Sequence, residues 1–220
     1  MNPLIINTIT KETIKASFDK IAESLFNNYR LKVNESYYRL LDIEFYYYAE
    51  DSYKDVYTHK HDEQLKPGKW YFHGSGIDIT IGNEKHHGGI LIRAIARISE
   101  QGDPNKYFIE KEIHGPLNVK TEICANLYGA FEEKANVFQL EDIADKEIPY
   151  FVKPVAYHKT KRIGLNVGKG GADDFHEAKL RYVIFPKLKL KDKTQIAKDM
   201  LSEGMEITDI NKALGSVFLK

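Results

Sequence analysis

RLLDIEFYYYAE, residues 39–50, is the stretch on which the reading of this chain turns. From Leu41 onward, apolar side chains alternate with polar or phenolic ones at a period of two, which is strand periodicity. Leu41, Ile43, Phe45 and Tyr47 would share one face, and Asp42, Glu44, Tyr46 and Tyr48 the other. That second face carries carboxylates and phenol rings where a core strand would carry Val, Ile or Leu. A carboxylate walled by aromatic rings loses hydration, which raises its pKa and makes it a better base. Flat rings also offer stacking surfaces to a flat ligand such as a nucleobase. An exposed edge-strand face, for which Tyr is a good β-former, is the plainer alternative.

GGILIRAIARI, residues 88–98, is the second anchor. Its nearly continuous apolar run predicts a central strand. Arg93 shares a face there with Leu91 and Ile95. An isolated buried charge is expensive, so this arginine needs a partner, and Glu44 is its natural one. A buried Glu–Arg pair holding a water would be a hydrolytic centre. A purely structural ion pair is the alternative.

The remaining elements follow outward from these two. Ile14, Phe18, Ile21, Leu25 and Phe26 recur at helical spacing and predict an amphipathic helix over 10–28, with Thr10 as N-cap. LKPGK, 65–69, reads as a turn. WYFHGSGIDITI, 70–81, reads as one strand loosened by Gly74 and Gly76. GNEKHHGG reads as a hairpin connection. Gly115–Pro116 starts a helix expected to end near Gly129. Short strands are expected over 148–167, and a last strand over 180–188, ended by Pro186. Two short helices, 194–204 and 207–215, have the outline of a helix-turn-helix. They lack a third supporting helix, so they are read as a pair packing on the domain.

Composition narrows the function classes. The chain has 220 residues, 42% of them hydrophobic, enough for one ordinary globular domain. Lys+Arg and Asp+Glu are both 32, so a nucleic-acid partner would need a local basic face. With Cys124 the sole cysteine, an intrachain disulfide and a cysteine-based zinc site are excluded. No signal-peptide pattern and no membrane-spanning run is apparent, so a cytoplasmic protein is expected.

Three further motifs carry only weak chemical signals. His59, His61, His73, His86 and His87, with Asp62 or Asp78, could suggest a metal site, but their spacing matches no ligand pattern and none is assigned. Ser75 in HGSGID lacks the first glycine of a nucleophile elbow. GKGG, 168–171, lacks the ending of a phosphate-binding loop.

The order of the pieces resembles the alkyladenine (3-methyladenine) DNA glycosylases. The pieces are Glu44-Phe45-Tyr46, Asp55-Val56-Tyr57-Thr58-His59, Lys66-Pro67-Gly68 before an aromatic strand, Leu91-Ile92-Arg93-Ala94-Ile95, His114-Gly115-Pro116 and Arg162-Ile163-Gly164-Leu165. The likeness extends from about residue 14 to about residue 188, through Leu180-Arg181-Tyr182-Val183. It implies an α+β fold, a single domain with a curved, mostly antiparallel sheet flanked by helices. That domain is expected over 1–190, with a C-terminal helical extension over 191–220.

The resemblance also implies a chemistry. Glu44 would activate water for attack at the anomeric carbon, and Arg93 would hold that water and the carboxylate. Tyr46 and His59 would stack on a purine flipped out of DNA, with His73 at the place of a second stacking ring. Apart from the resemblance, Lys159, Lys161 and Arg162 belong to a local basic patch that is the candidate nucleic-acid contact, with solvated surface as the plainer reading. No metal or other cofactor is implied. The expected partner is DNA carrying a damaged purine, with a nucleotide, a modified RNA base or a purely binding role as alternatives, and the expected state is a monomer. The chain departs from the family where an intercalating side chain is expected, having Gly74, Ser75 and Gly76 there. Without such a wedge the flipped state is less favourable.

Overall fold

The structure, a computed structural model, describes residues 4, 6, 10–99, 109–143, 155–166 and 174–219. The chain opens with α1 (Lys11–Asn27), where the Thr10 hydroxyl accepts the Thr13 N–H as N-cap. Ile14, Phe18, Ile21 and Leu25 are buried along one stripe of this helix, as their spacing predicts. β1 (Tyr29–Val33), β2 (Ser36–Ala49) and β3 (Tyr53–Lys54) follow, then a 3₁₀ turn at Asp62–Leu65. β4 (Trp70–His73), β5 (Gly76–Thr80), β6 (His87–Ile98) and β7 (Ile109–His114) lead into α2 (Pro116–Ala125). β8 (Phe138–Asp142), β9 (His158–Thr160) and β10 (Arg181–Val183) precede α3 (Lys193–Ser202) and α4 (Ile207–Leu214).

The fold is α+β. Among the described residues ten strands join one antiparallel sheet in the order β4-β5-β6-β2-β1-β8. β10 lies beside β2 and carries β9, β3 adds to β2, and β7 adds to β6. The two ends of the path meet. Trp70 stacks on Phe138 at 4.1 Å, and its indole N–H donates to the Phe138 carbonyl at 3.1 Å. The sheet is therefore strongly curled, which gives it an inner and an outer face.

β2 and β6 form its spine, pairing from Tyr37 with Ile98 to Tyr48 with His87. A bulge lies between Leu40 and Ile43, and past it the period-two alternation runs cleanly. Phe45 and Tyr47 face α1, where Phe18 stacks on Phe45 at 4.6 Å and meets Tyr47 and Tyr53 edge-on. Burial of these rings supplies the core, and it forces Glu44 and Tyr46 to the opposite face.

Three sequence expectations need correction. Residues 70–81 form a hairpin, with His73 paired to Gly76 and the turn at Gly74–Ser75. A continuous strand would have left the apolar face of 77–81 without its neighbour. The helix from Pro116 stops at Ala125, before Gly129, because the Asn126 amide bonds back to the Glu122 carbonyl and the Asn126 carbonyl is taken by Asn34. The final strand is only Arg181–Val183, because Phe185 adopts a left-handed φ of 49° that turns the chain out of the sheet. Of the short strands expected over 148–167, His158–Thr160 is one. Residues 148–154, residue 167 and the glycine-rich 168–171 lie outside the described residues.

The C-terminal helices pack on the sheet domain. Ile196, Ala197, Met200, Ile210 and Leu214 belong to the same hydrophobic cluster as Phe18 and Phe45. The buried Asp199 carboxylate accepts the Thr160 hydroxyl at 2.7 Å. No helix among the described residues is long and apolar enough to cross a membrane.

Candidate active site

The face of the sheet away from α1 is polar, and register explains how its groups meet. In the ladder Asp78 stands opposite Leu91, Leu91 opposite Glu44, and Glu44 opposite Arg181. Residues directly opposite in an antiparallel ladder share a face, so one rung carries Asp78, Leu91, Glu44 and Arg181 together. Arg93 is two residues beyond Leu91 and joins them.

Glu44 is fully buried and holds three donors. Its Oε2 accepts the Tyr46 hydroxyl at 2.8 Å and the Arg93 guanidinium at 3.2 Å, and its Oε1 accepts the Ile163 N–H at 2.8 Å. Burial pushes the Glu44 pKa up. Arg93 opposes that rise, Asp42 adds to it, and the Ile163 and Tyr46 hydrogen bonds oppose it, leaving the carboxyl above its ordinary value. Burial also raises the Tyr46 phenol well above its ordinary value, so it remains a donor to Glu44.

Two further ion pairs make burial of this polar face tolerable. Arg181 binds Asp42 at 2.7 Å, and Arg162 binds Asp55 at 2.6 and 3.1 Å. Arg162 also donates to the carbonyls of Phe45 and Phe175 and lies 4.5 Å from the centre of the Tyr46 ring. Burial works against its charge, but the hydrogen bond and charge of Asp55, together with Tyr46 and Glu44, raise its pKa. Buried charges require partners of this kind.

Above these pairs is a cavity of about 680 Å³. Its walls include Tyr46, Tyr57, His59, His73, Asp78, Gln64 and Arg93, with the start of α2 and Ile163–Asn166 at its edge. The structure thus brings Glu44, Arg93, Tyr46, His59 and His73 together. Glu44 is set behind Tyr46 and Arg93 and does not itself line the cavity. The His59 and His73 rings meet edge to face at 4.7 Å, Tyr71 stacks on His73 at 5.1 Å, and His61 stacks on Tyr71 at 4.8 Å. His61, Tyr71 and His73 thus form a stack that His59 meets edge-on. Among the described residues no three His, Cys, Asp or Glu side chains gather as a metal site would require.

The expected nucleic-acid contacts are not brought together. Arg162 is buried in its Asp55 pair, which corrects its reading as a phosphate contact: a guanidinium with two carboxylate and two carbonyl acceptors inside the fold cannot also reach a surface phosphate. Lys159 pairs with Asp19 at 3.3 Å, and Lys161 with Glu177. Three wall residues, Asp78, Tyr57 and Gln64, were not assigned to the cavity from the sequence. Asp78 had a signal, the alternation of GIDIT. Tyr57 and Gln64 had none, since loops and the 3₁₀ turn position them.

The fold and site together define an α+β domain with a buried carboxylate–guanidinium pair under an aromatic, histidine-rich cavity. No family model matches the chain. It is similar to the uncharacterized protein L759 of Acanthamoeba polyphaga mimivirus, 27% identical over 206 residues that take in 81% of this chain and 91% of the viral protein.

Proposed function

We propose that the cavity is the active site of an N-glycosidic hydrolase that releases alkylated or deaminated purines from DNA, as the resemblance to the alkyladenine glycosylases implies. The observation that carries this reading is the Glu44–Arg93 pair. A carboxylate with a raised pKa stands at the back of a ring-lined cavity, beside a guanidinium that can share a water with it. In the proposed reaction a water at the cavity wall beside Arg93, held by the acceptor site that Glu44 Oε1 keeps besides the Ile163 N–H, attacks the anomeric carbon. The C–N bond breaks and its electron pair leaves with the base, while the water proton passes to Glu44. An alkylated purine is cationic, so it is a good leaving group and is attracted to aromatic faces such as His59 and Tyr46. The cavity volume lies within the range that holds a single small ligand. The reading needs no resident cofactor and takes the protein as a cytoplasmic monomer.

One observation favours a second reading, a free nucleoside, nucleotide or modified RNA base in the same cavity. Arg162 is buried, and Lys159 and Lys161 are each engaged by a carboxylate, so these residues do not supply a basic track for duplex DNA.

Single-turnover base release distinguishes the two. Duplex and single-stranded oligonucleotides carrying hypoxanthine, ethenoadenine or 7-methylguanine are compared with the free nucleosides. The DNA reading expects release from oligonucleotides, lost in Glu44→Gln that unfolds at the wild-type temperature. Cleavage of nucleosides alone would establish the second reading. No cleavage of any substrate would remove both hydrolytic readings and leave a binding role.

A further inference from the structure

The Glu44–Arg93 chemistry does not use the carboxylate at the other end of the rung. Asp78 is buried yet lines the cavity. It stands two strands from Glu44 on the same face, with Leu91 between, a separation of roughly 10 Å between Cα atoms at ordinary strand spacing. That length seats a bicyclic base lengthwise, with its sugar bond toward Glu44 and its far edge toward Asp78.

Asp78 is held by two donors. The His73 Nδ1 accepts the Ser75 N–H at 3.2 Å, so the ring proton is on Nε2 and is donated to Asp78 Oδ1 at 3.0 Å. Gln64 accepts the His61 N–H through Oε1 and donates Nε2–H to Asp78 Oδ2 at 3.3 Å. Gly89 makes room for both groups, because a Cβ there would lie 2.6 Å from Asp78 Oδ2 and 2.8 Å from Gln64 Nε2. Each carboxylate oxygen has two acceptor sites and gives one to the protein. By this count two acceptor sites remain, one on each oxygen.

We propose that Asp78, positioned by His73 and Gln64, is the specificity-determining residue of the cavity and selects bases that present adjacent N–H donors at the edge remote from Glu44. Guanine-type bases, with an imino and an amino donor side by side, fit this pair. Adenine-type bases put a lone pair against the carboxylate, and ethenoadenine offers no donor there. The proposal rests on the reading of the cavity as a base pocket.

The test is equilibrium binding of 9-methylguanine and 9-methyladenine, followed by calorimetry, beside base release from 7-methylguanine and ethenoadenine oligonucleotides. The wild type should bind 9-methylguanine at least ~10-fold more tightly, the effect of one charge-assisted hydrogen bond. Asp78→Asn should abolish that preference. If Asp78→Asn does not fold, Gly89→Ala displaces the same carboxylate and should shrink the preference. Equal affinities, or binding of neither base at millimolar concentration, would overturn the proposal. A preference for 9-methylguanine without base release keeps it and removes the hydrolase reading. Equal release of both modified bases keeps the hydrolase and removes Asp78 as selector.

Discussion

Replacing Asp55 with Asn tests the physical argument of the site most directly. Asp55 and Arg162 are both fully buried, and their two hydrogen bonds are 2.6 and 3.1 Å long. The substitution nearly preserves shape, removes the negative charge and turns one of the two acceptor oxygens into an amide donor, so a guanidinium is left in the interior without its counter-ion and with one acceptor fewer. Breaking a buried pair from one side costs about 3–5 kcal/mol. The lower end applies here, about 3 kcal/mol, because Arg162 keeps the carbonyls of Phe45 and Phe175. For a chain of this size that is a fall in Tm of roughly 6–12 °C. The assay is thermal unfolding beside Glu177→Gln, which breaks the exposed pair to neighbouring Lys161 and should leave Tm unchanged. Asp55→Leu with Arg162→Met should recover most of the loss, since a hydrophobic replacement of a whole buried pair is often neutral. The site should also suffer. Arg162 covers Tyr46, and the adjoining Ile163 N–H holds Glu44 at 2.8 Å, so base release should slow even at temperatures where Asp55→Asn is folded. A Tm fall no larger than that of Glu177→Gln would refute the reasoning.

Two further perturbations bear on the site and its frame. Because the Glu44 pKa is raised in the fold, the native state holds a proton that the unfolded chain has already released between the ordinary value, about 4.3, and the raised one. Its contribution to stability is therefore fully present below the ordinary value and is lost as pH rises through the folded pKa; urea midpoints should show this slope in the wild type and not in Glu44→Gln. Base release should rise with pH along a limb whose midpoint lies above the ordinary carboxylate range, since the attacking water needs the ionised form. Gly82→Ala should cost about 3 kcal/mol, because its Cβ would stand 1.9 Å from the Gln64 carbonyl oxygen and 2.2 Å from that of His86, and backbone cannot swing aside; an unchanged urea midpoint would contradict this.

What was legible in the sequence was local or obligatory. The helical spacing of Ile14, Phe18, Ile21 and Leu25 and the cap at Thr10 are local, and α1 follows from them. The alternation from Ile43 to Tyr48 decides which side chains of β2 share a face whatever its neighbours are. The partnership of Glu44 with Arg93 follows from the cost of burying either charge alone, and the two meet at 3.2 Å. What only the tertiary structure decided was non-local. β1, β7 and β8 are short and mixed in character, and they become strands because a neighbour offers hydrogen bonds and an apolar face. The split of 70–81 into a hairpin, the choice of Asp55 as the partner of Arg162, and the arrival of Asp78 opposite Leu91 all depend on pairing between residues distant in the chain. Periodicity fixes the face on which a side chain lies, but only register between strands fixes what it meets there.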